Sequence, residues 1–296
     1  MNFINLDHML KDAIDMHMHP GPGGGCRLDA IEAARQAQQA GMKAIVLKSH
    51  SYTAAVAVMV NQLVPGFKVF GSVCLDFEIG GINPHAVSNA AMMGAKVVWM
   101  PTFSSKNSID MMRKQGLPLQ GEGISILGKD GKLVPELAPI LSIIKKHDMV
   151  LASGHISPQE DFALFTEAQK TGIKKMVATH PLDAEFLEKT CTIEELRQLA
   201  GMGVYSEFTI VGILPNEFCH DPAILVKNIK AIGPEHCIIS TDLGQPQNPL
   251  PVEGMRLFIA TLLHHGLTQP EVELMTKINP AKLLGLDQAT SKNESK

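Results

Sequence analysis

Two histidines lie two residues apart in "AIDMHMHPGPGG" (residues 13–24): His17 and His19 close a short apolar run and are followed by prolines and glycines. In a strand, side chains i and i+2 share a face, so both imidazoles would project together at the strand's C-terminal end and offer two nitrogens to one ion. Other apolar runs end in similar groups. Lys48 and His50 close "KAIVLKSH", Asp76 and then Glu78 follow "KVFGSVC", and Thr102 follows "AKVVWMP". His155 ends "MVLASGH", His180 ends "KKMVATH", Glu207 lies in "GVYSEF" and Asp242 ends "CIISTD".

Imidazole and carboxylate ligands together favour Zn2+, with Mn2+ next. His17, His19, His155, His180 and Asp242 are the metal-binding candidates, sufficient for one ion or for two. An ion held there brings water to a pKa near ~7, and Asp242 is positioned in the sequence to take its proton as the catalytic base. No organic cofactor is needed for such chemistry.

These groups meet only if the strand ends meet. The chain reads as strand and helix in alternation: "LDAIEAARQAQQAG" has helical spacing and a closing Gly41, and "PHAVSNAAMMG" opens on Pro84 and closes on Gly94. Residues 102–134 break the rhythm with Ser, Gly and polar groups, and Asp130-Gly131 in "ISILGKDGKLV" suggests a hairpin turn. The alternation then resumes to give eight strands, each followed by a helix. Nearly continuous aliphatic strands are buried on both faces, as in a parallel sheet with helices outside. The expectation is an α/β fold, a distorted (β/α)8 TIM barrel spanning residues 1–286 with an insertion at 102–134 after the fourth strand, and a polar tail at 287–296. A doubly wound sheet is the competitor, but no G-x-G-x-x-G follows any strand. In a barrel the active site lies at the strand C-termini.

Composition narrows the partners. The 296 residues are 45% hydrophobic, enough for a large core, and the net charge of −4 comes with no long basic block. Neither nucleic acid nor a membrane surface is expected as a partner; a small-molecule substrate is, and a homo-oligomer is allowed. Five cysteines without C-x-x-C spacing argue against a disulfide framework. With acids near the N-terminus and no uninterrupted apolar stretch of ~18 residues, the expected location is cytoplasmic.

The ordered set His17-x-His19, His155, His180 and Asp242, each closing its strand, resembles the metal-dependent amidohydrolase superfamily. The segment "INPAKLLGL" (278–286) is similar to the closing segment common there, which packs a final helix. The resemblance covers about residues 13–286. It implies a distorted barrel, one or two divalent metals and usually hydrolysis, and assigns the five residues to metal binding or water activation. One departure stands out. Many two-metal members bridge their ions with a carboxylated Lys or a Glu ending strand four, and "VVWMPTF" has neither. Lys48 and Glu78 are the nearby substitutes.

Three functions follow from different classes: a hydrolase of amide, lactone or other ester bonds; a metal-dependent decarboxylase or other lyase; and a non-catalytic metal- or ligand-binding barrel. Lys48 is the second catalytic candidate, and is open to pairing with an acid, to a carbamate bridge or to a substrate contact. His50, Glu78 and Glu207 are substrate-binding candidates, with structural pairing the alternative for Glu207. His220 in "NEFCHDP" reads as capping-region surface, and His264 and His265 as residues suited to a helix C-terminus. The "GPGGG" loop could offer backbone N–H groups to an anion or act as a lid.

Overall fold

The aliphatic runs form parallel strand segments arranged in a ring, described by a computed structural model for residues 5–21, 26–119, 121–215 and 218–287. In chain order they are β1 (Ile14–Met18), β2 (Ala44–Leu47), β3 (Lys68–Phe70), β4 (Ser72–Cys74), β5 (Val97–Trp99), β6 (Val150–Ala152), β7 (Met176–Ala178), β8 (Val204–Thr209) and β9 (Cys237–Ser240). Neighbours pair in sequence order, β1-β2-β3 and then β4 through β9. Each except β3, which runs straight into β4, is followed by a helix or a helix-bearing loop, so the architecture is the (β/α)8 barrel.

Two joints make the ring irregular. β3 and β4 occupy one barrel position but are parted at Gly71, where a Cβ would lie 2.5 Å from Ala54 Cα, at the start of the helix Ala54–Leu63. The sequence reads as a single strand there. The structure breaks it because residues after β2 intervene: Thr53 N donates to Ser72 O (3.0 Å) and Cys74 N to Ser51 O (2.9 Å), taking bonds that β2 would otherwise make. The second joint closes the ring just past β9. Asp242 N donates to His17 O (2.7 Å) and His19 N to Leu243 O (2.8 Å). Beneath them the buried Asp15 carboxylate accepts Thr241 N (3.1 Å) and Thr241 Oγ1 (2.5 Å).

The core has two parts. Outward residues of the strands, such as Ile45, Val98 and Leu151, pack under the helices, while Ile14, Val46, Val97, Trp99 and Ile238 fill the barrel interior. The helix Asn279–Leu284 plugs that interior at the N-terminal end with Leu283 and Leu284, as the "INPAKLLGL" resemblance implies. Asn279 Nδ2 fixes it by donating to Cys237 O (2.8 Å) and Pro234 O (3.1 Å). Since the N-terminal mouth is stoppered, access to the interior is from the C-terminal rim.

Residues 102–134 are not only loop and hairpin. Leu127 and Leu133 do pair across a tight turn, but a helix, Lys106–Lys114, precedes it. Its N-cap Ser105 accepts from Ser108 N (3.0 Å) and donates to His155 O (2.9 Å), which seats the helix against the end of β6. The Ser-rich start that reads as irregular is this cap. Among the described residues no helix is long and apolar enough to cross a membrane. Residues 22–25 of the "GPGGG" loop and 288–296 of the tail lie outside the described residues.

Candidate metal centre and substrate cavity

Three of the five expected ligands converge tightly. His17 Nε2 and His19 Nε2 each stand 3.0 Å from Asp242 Oδ1 and 3.2 Å from one another. β1 delivers the two imidazoles on one face, and the closing joint holds Asp242 opposite them. Asp242 leaves β9 at φ 55, and His180 leaves β7 at φ 25, a backbone region uncommon for residues other than glycine. Such conformations concentrate where a side chain must be aimed.

His180 Nε2 lies 3.9 Å from Asp242 Oδ2, and neither of its buried ring nitrogens has a hydrogen-bond partner. His155 stands one ring further out, its centroid 4.9 Å from that of His180. The compact group is thus His17, His19 and Asp242, with His180 beside it and His155 on the adjoining wall.

The donor set fits a first-row divalent cation. Bonds of about 2.0–2.1 Å in tetrahedral array imply ligand separations of about 3.3 Å, close to the edges of this triangle. Buried imidazole nitrogens with no partner, as on His180, are otherwise costly and are what a fourth ligand would leave in the absence of its ion.

His17, His155 and His50 are each held from behind, and the partners assign their tautomers. His17 Nδ1 donates to Glu207 Oε2 (3.1 Å), turning Nε2 toward Asp242. The Ser108 hydroxyl donates its one proton to Phe186 O (2.7 Å), so in its 2.8 Å contact with His155 it accepts from Nδ1, leaving Nε2 with the lone pair. Thr102 Oγ1 likewise donates to Asp76, so His50 Nδ1 donates to Thr102 Oγ1 (2.8 Å). Asp183 Oδ2 lies 3.6 Å behind His180 Nδ1 and Asp183 Oδ1 3.0 Å from His220 Nε2.

The electrostatics are dominated by Asp242. Burial alone would raise its pKa, but the charge and hydrogen bond of His17, then those of His19, hold it well below the usual carboxylate range. Burial pulls His17 down, yet Asp242 and Glu207 win and raise it to about 9. His19 is pushed down to about 3 by burial and then by the Lys48 ammonium. His155 is also held well below its ordinary value, by burial and then by the neighbouring His180. Asp76, buried but bonded by His50, Thr102 and Ser104, stays below its ordinary value.

Over this centre opens a cavity of about 650 Å3, walled by His19, Lys48, His50, Phe103, His155, Phe186 and Asp242, with Glu78 exposed at its rim. Phe103 stacks on His50 (centroids 4.2 Å apart) and Phe186 on His155 (5.7 Å). Trp99 is the floor, its ring 4.7 Å from that of His17 and 5.3 Å from Lys48 Nζ. A larger groove, about 790 Å3, runs between the helices Leu137–Lys146 and Pro158–Thr171, away from these groups.

Several sequence expectations change. Glu207, a candidate for substrate contact, is fully buried beneath His17 and does not line the cavity; its pairing with His17 is what the structure contains. Lys48 has no carboxylate within ion-pair distance among the described residues. His220 is a half-buried partner of Asp183, which raises its pKa, rather than free capping surface. Trp99, Ser108 and Asp183 escaped sequence reading, and Asp76 was read only as a strand-end acid without its role behind His50. Only Asp183 carried a signal, standing three residues after His180 in "THPLD".

The family described as "Family of unknown function (DUF6282)" matches residues 12–207. No curated protein matches the chain. Among solved structures, an amidohydrolase from Pseudomonas aeruginosa superposes with a TM-score of 0.63 at 13% identity, over 95% of this chain and 98% of that one. The probable dipeptidase PvdM from Pseudomonas aeruginosa gives 0.64 at 10% identity, over 95% and 96%. A probable 2-pyrone-4,6-dicarboxylic acid hydrolase from Acinetobacter baumannii, with citric acid bound, gives 0.60 at 13% identity, over 93% and 99%. At these identities the likeness is one of fold.

Proposed function

The chain belongs to DUF6282, a family of unknown function, and carries the barrel fold of the amidohydrolase superfamily; from this we propose that it is a metal-dependent hydrolase of an amide, lactone or other ester bond in a small molecule. The observation that carries the reading is the His17, His19 and Asp242 triangle at the strand C-termini, with His180 unpartnered beside it and a cavity above. The names of the fold relatives, an amidohydrolase, a dipeptidase and a pyrone dicarboxylic acid hydrolase, agree in reaction type.

His17, His19, His180 and Asp242 would hold a divalent ion, Zn2+ first and Mn2+ second, with His155 adjacent. When bound, the ion supplies Lewis acidity toward water and a carbonyl oxygen. The rest falls to the chain. Asp242 directs Oδ1 at His17 and His19, leaving Oδ2 as the atom that accepts a proton from attacking water. Held well below its usual pKa, Asp242 passes that proton on readily to a leaving group. His50 has Nδ1 committed to Thr102, which leaves Nε2 as its second polar atom in the cavity wall, and Phe103 and Phe186 limit water around the substrate.

A decarboxylase is the second reading, favoured by one observation: β5 ends in Trp99 with no acidic or lysine side chain to bridge two ions. Elemental analysis of protein purified without chelator, beside a His17→Ala/His19→Ala variant, tests the centre; equal metal in both refutes it. A panel of cyclic amides, lactones and aromatic carboxylates then tests the reaction. Uptake of 18O from labelled water into product supports hydrolysis, and release of CO2 without it supports the second reading.

A further inference from the structure

Lys48 closes β2 and is one of the largest fully buried side chains of the protein, 1% exposed. A buried ammonium is stable only when paired. Here the one partner the structure provides is the face of Trp99, 5.3 Å away, and no carboxylate of the described residues lies within ion-pair distance. The ammonium-bearing side chain is nevertheless accessible to a ligand, because Lys48 lines the cavity. The same cavity is lined by Phe103 and Phe186, whose centroids are 6.0 Å apart.

We propose that Lys48 is the carboxylate-binding residue of the substrate cavity, so that the substrate is a small organic acid with an apolar or aromatic body seated against Phe103 and Phe186. An anion supplies the counter-charge that the fold withholds, and a charge-assisted bond to an ammonium in a dry site is among the stronger polar contacts available to a ligand. The inference deepens the hydrolase reading and rests on it only for the bond that reacts: the acid group is the handle, and the scissile carbonyl lies toward His17, His19 and Asp242.

The test uses benzoate and its neutral isostere benzamide as probes, titrated calorimetrically into the metal-containing protein and into Lys48→Met, which keeps the length and apolar stem of the side chain. Wild type is expected to bind benzoate roughly 10- to 100-fold more tightly than benzamide, and Lys48→Met to lose that preference while retaining its metal. The comparison within wild type stands even if the variant fails to fold. The proposal is overturned if benzoate does not bind, if benzamide binds equally well, or if Lys48→Met keeps the preference, since the metal alone would then be the anion's partner. It is also overturned if 13C-labelled bicarbonate gives a carbamate resonance that Lys48→Met lacks, because the lysine would then be an anion itself. The two readings fail separately. Loss of metal from His17→Ala/His19→Ala with no hydrolysis by wild type refutes the hydrolase, and a benzoate preference that survives in that variant leaves Lys48 in its role.

Discussion

Replacing Glu207 with Gln probes whether a carboxylate buried beneath His17 sets the strength of the candidate metal centre. Its Oε2 accepts the Nδ1 proton of His17 at 3.1 Å with both side chains essentially sealed from solvent. A hydrogen bond to a charged group in such a place contributes about 1.5–3 kcal/mol, and changes to the partner of a ligating His cost ~10–100-fold in metal affinity, which is ~1.4–2.8 kcal/mol. Gln keeps the shape and an acceptor but removes the charge that makes His17 Nε2 a strong donor. It also removes a buried carboxylate whose Oε1 has no partner, so the metal-free fold should lose little. The expected signature is therefore split: Zn2+ affinity, measured by competition with a chromophoric chelator, falls ~10–100-fold, while the melting temperature of the metal-free protein scarcely moves. Glu207→Asp, which keeps the charge and withdraws it from Nδ1, should weaken binding similarly. Unchanged affinity in both variants, or a loss that tracks a fall in metal-free stability, would refute the reasoning that Glu207 acts through His17.

Asp242→Asn should lower turnover ~10²–10⁴-fold while bound metal, measured on the same preparation, falls far less, because the histidines remain; near wild-type turnover would remove Asp242 as the base. Gly71→Ala places a Cβ 2.5 Å from Ala54 Cα and should destabilise by at least ~1–3 kcal/mol, read as a lower melting temperature, with an unchanged value showing that the joint between β3 and β4 yields. Ser108→Ala frees His155 Nδ1 and should reduce turnover with little effect on metal content; an equal loss of both would place His155 among the essential ligands. Asp161 is buried, and burial pushes its pKa well above the usual carboxylate range. The folded chain then holds a proton that the unfolded chain has released, so this contribution to stability is present at acid pH and lost as pH rises through the folded pKa. Asp161→Asn should consequently match wild type near pH 4 and exceed it near pH 8, and a wild-type advantage that grows with pH would contradict this.

How far the sequence disclosed this arrangement depends on what each residue answers to. His17, His19, His180 and Asp242 were legible because a strand end is a local event: an aliphatic run stops, and the polar residue that stops it faces the rim. The final helix was legible for the same reason. Glu207 was visible as a strand residue, but its partner His17 is 190 positions away, and only the closure of the ring decides that it points beneath the imidazole. Ser108 was hidden differently: it serves His155 from the first turn of the helix Lys106–Lys114, in a stretch whose Ser and Gly content reads as irregular. Asp76 was legible as a strand-end acid, but its pairing with His50 of the neighbouring barrel position was not. The division of β3 from β4 was unreadable because it is imposed by Thr53 and Ala54, whose approach Gly71 merely permits.

The chain contains a single tryptophan, Trp99, and that residue is the floor shared by His17 and Lys48. Its optical properties thus belong to one place. With the indole 1% exposed, its emission is expected toward the blue end for a protein, and a change at His17 or Lys48 is expected to alter it. A protonated imidazole quenches a neighbouring indole, and an ammonium held over the ring shifts its electronic levels. Replacing the proton on His17 by a cation, or neutralising Lys48 with an anion, therefore changes brightness and colour in distinguishable ways. The protein carries its own label, at the spot where a chemist would have chosen to attach one.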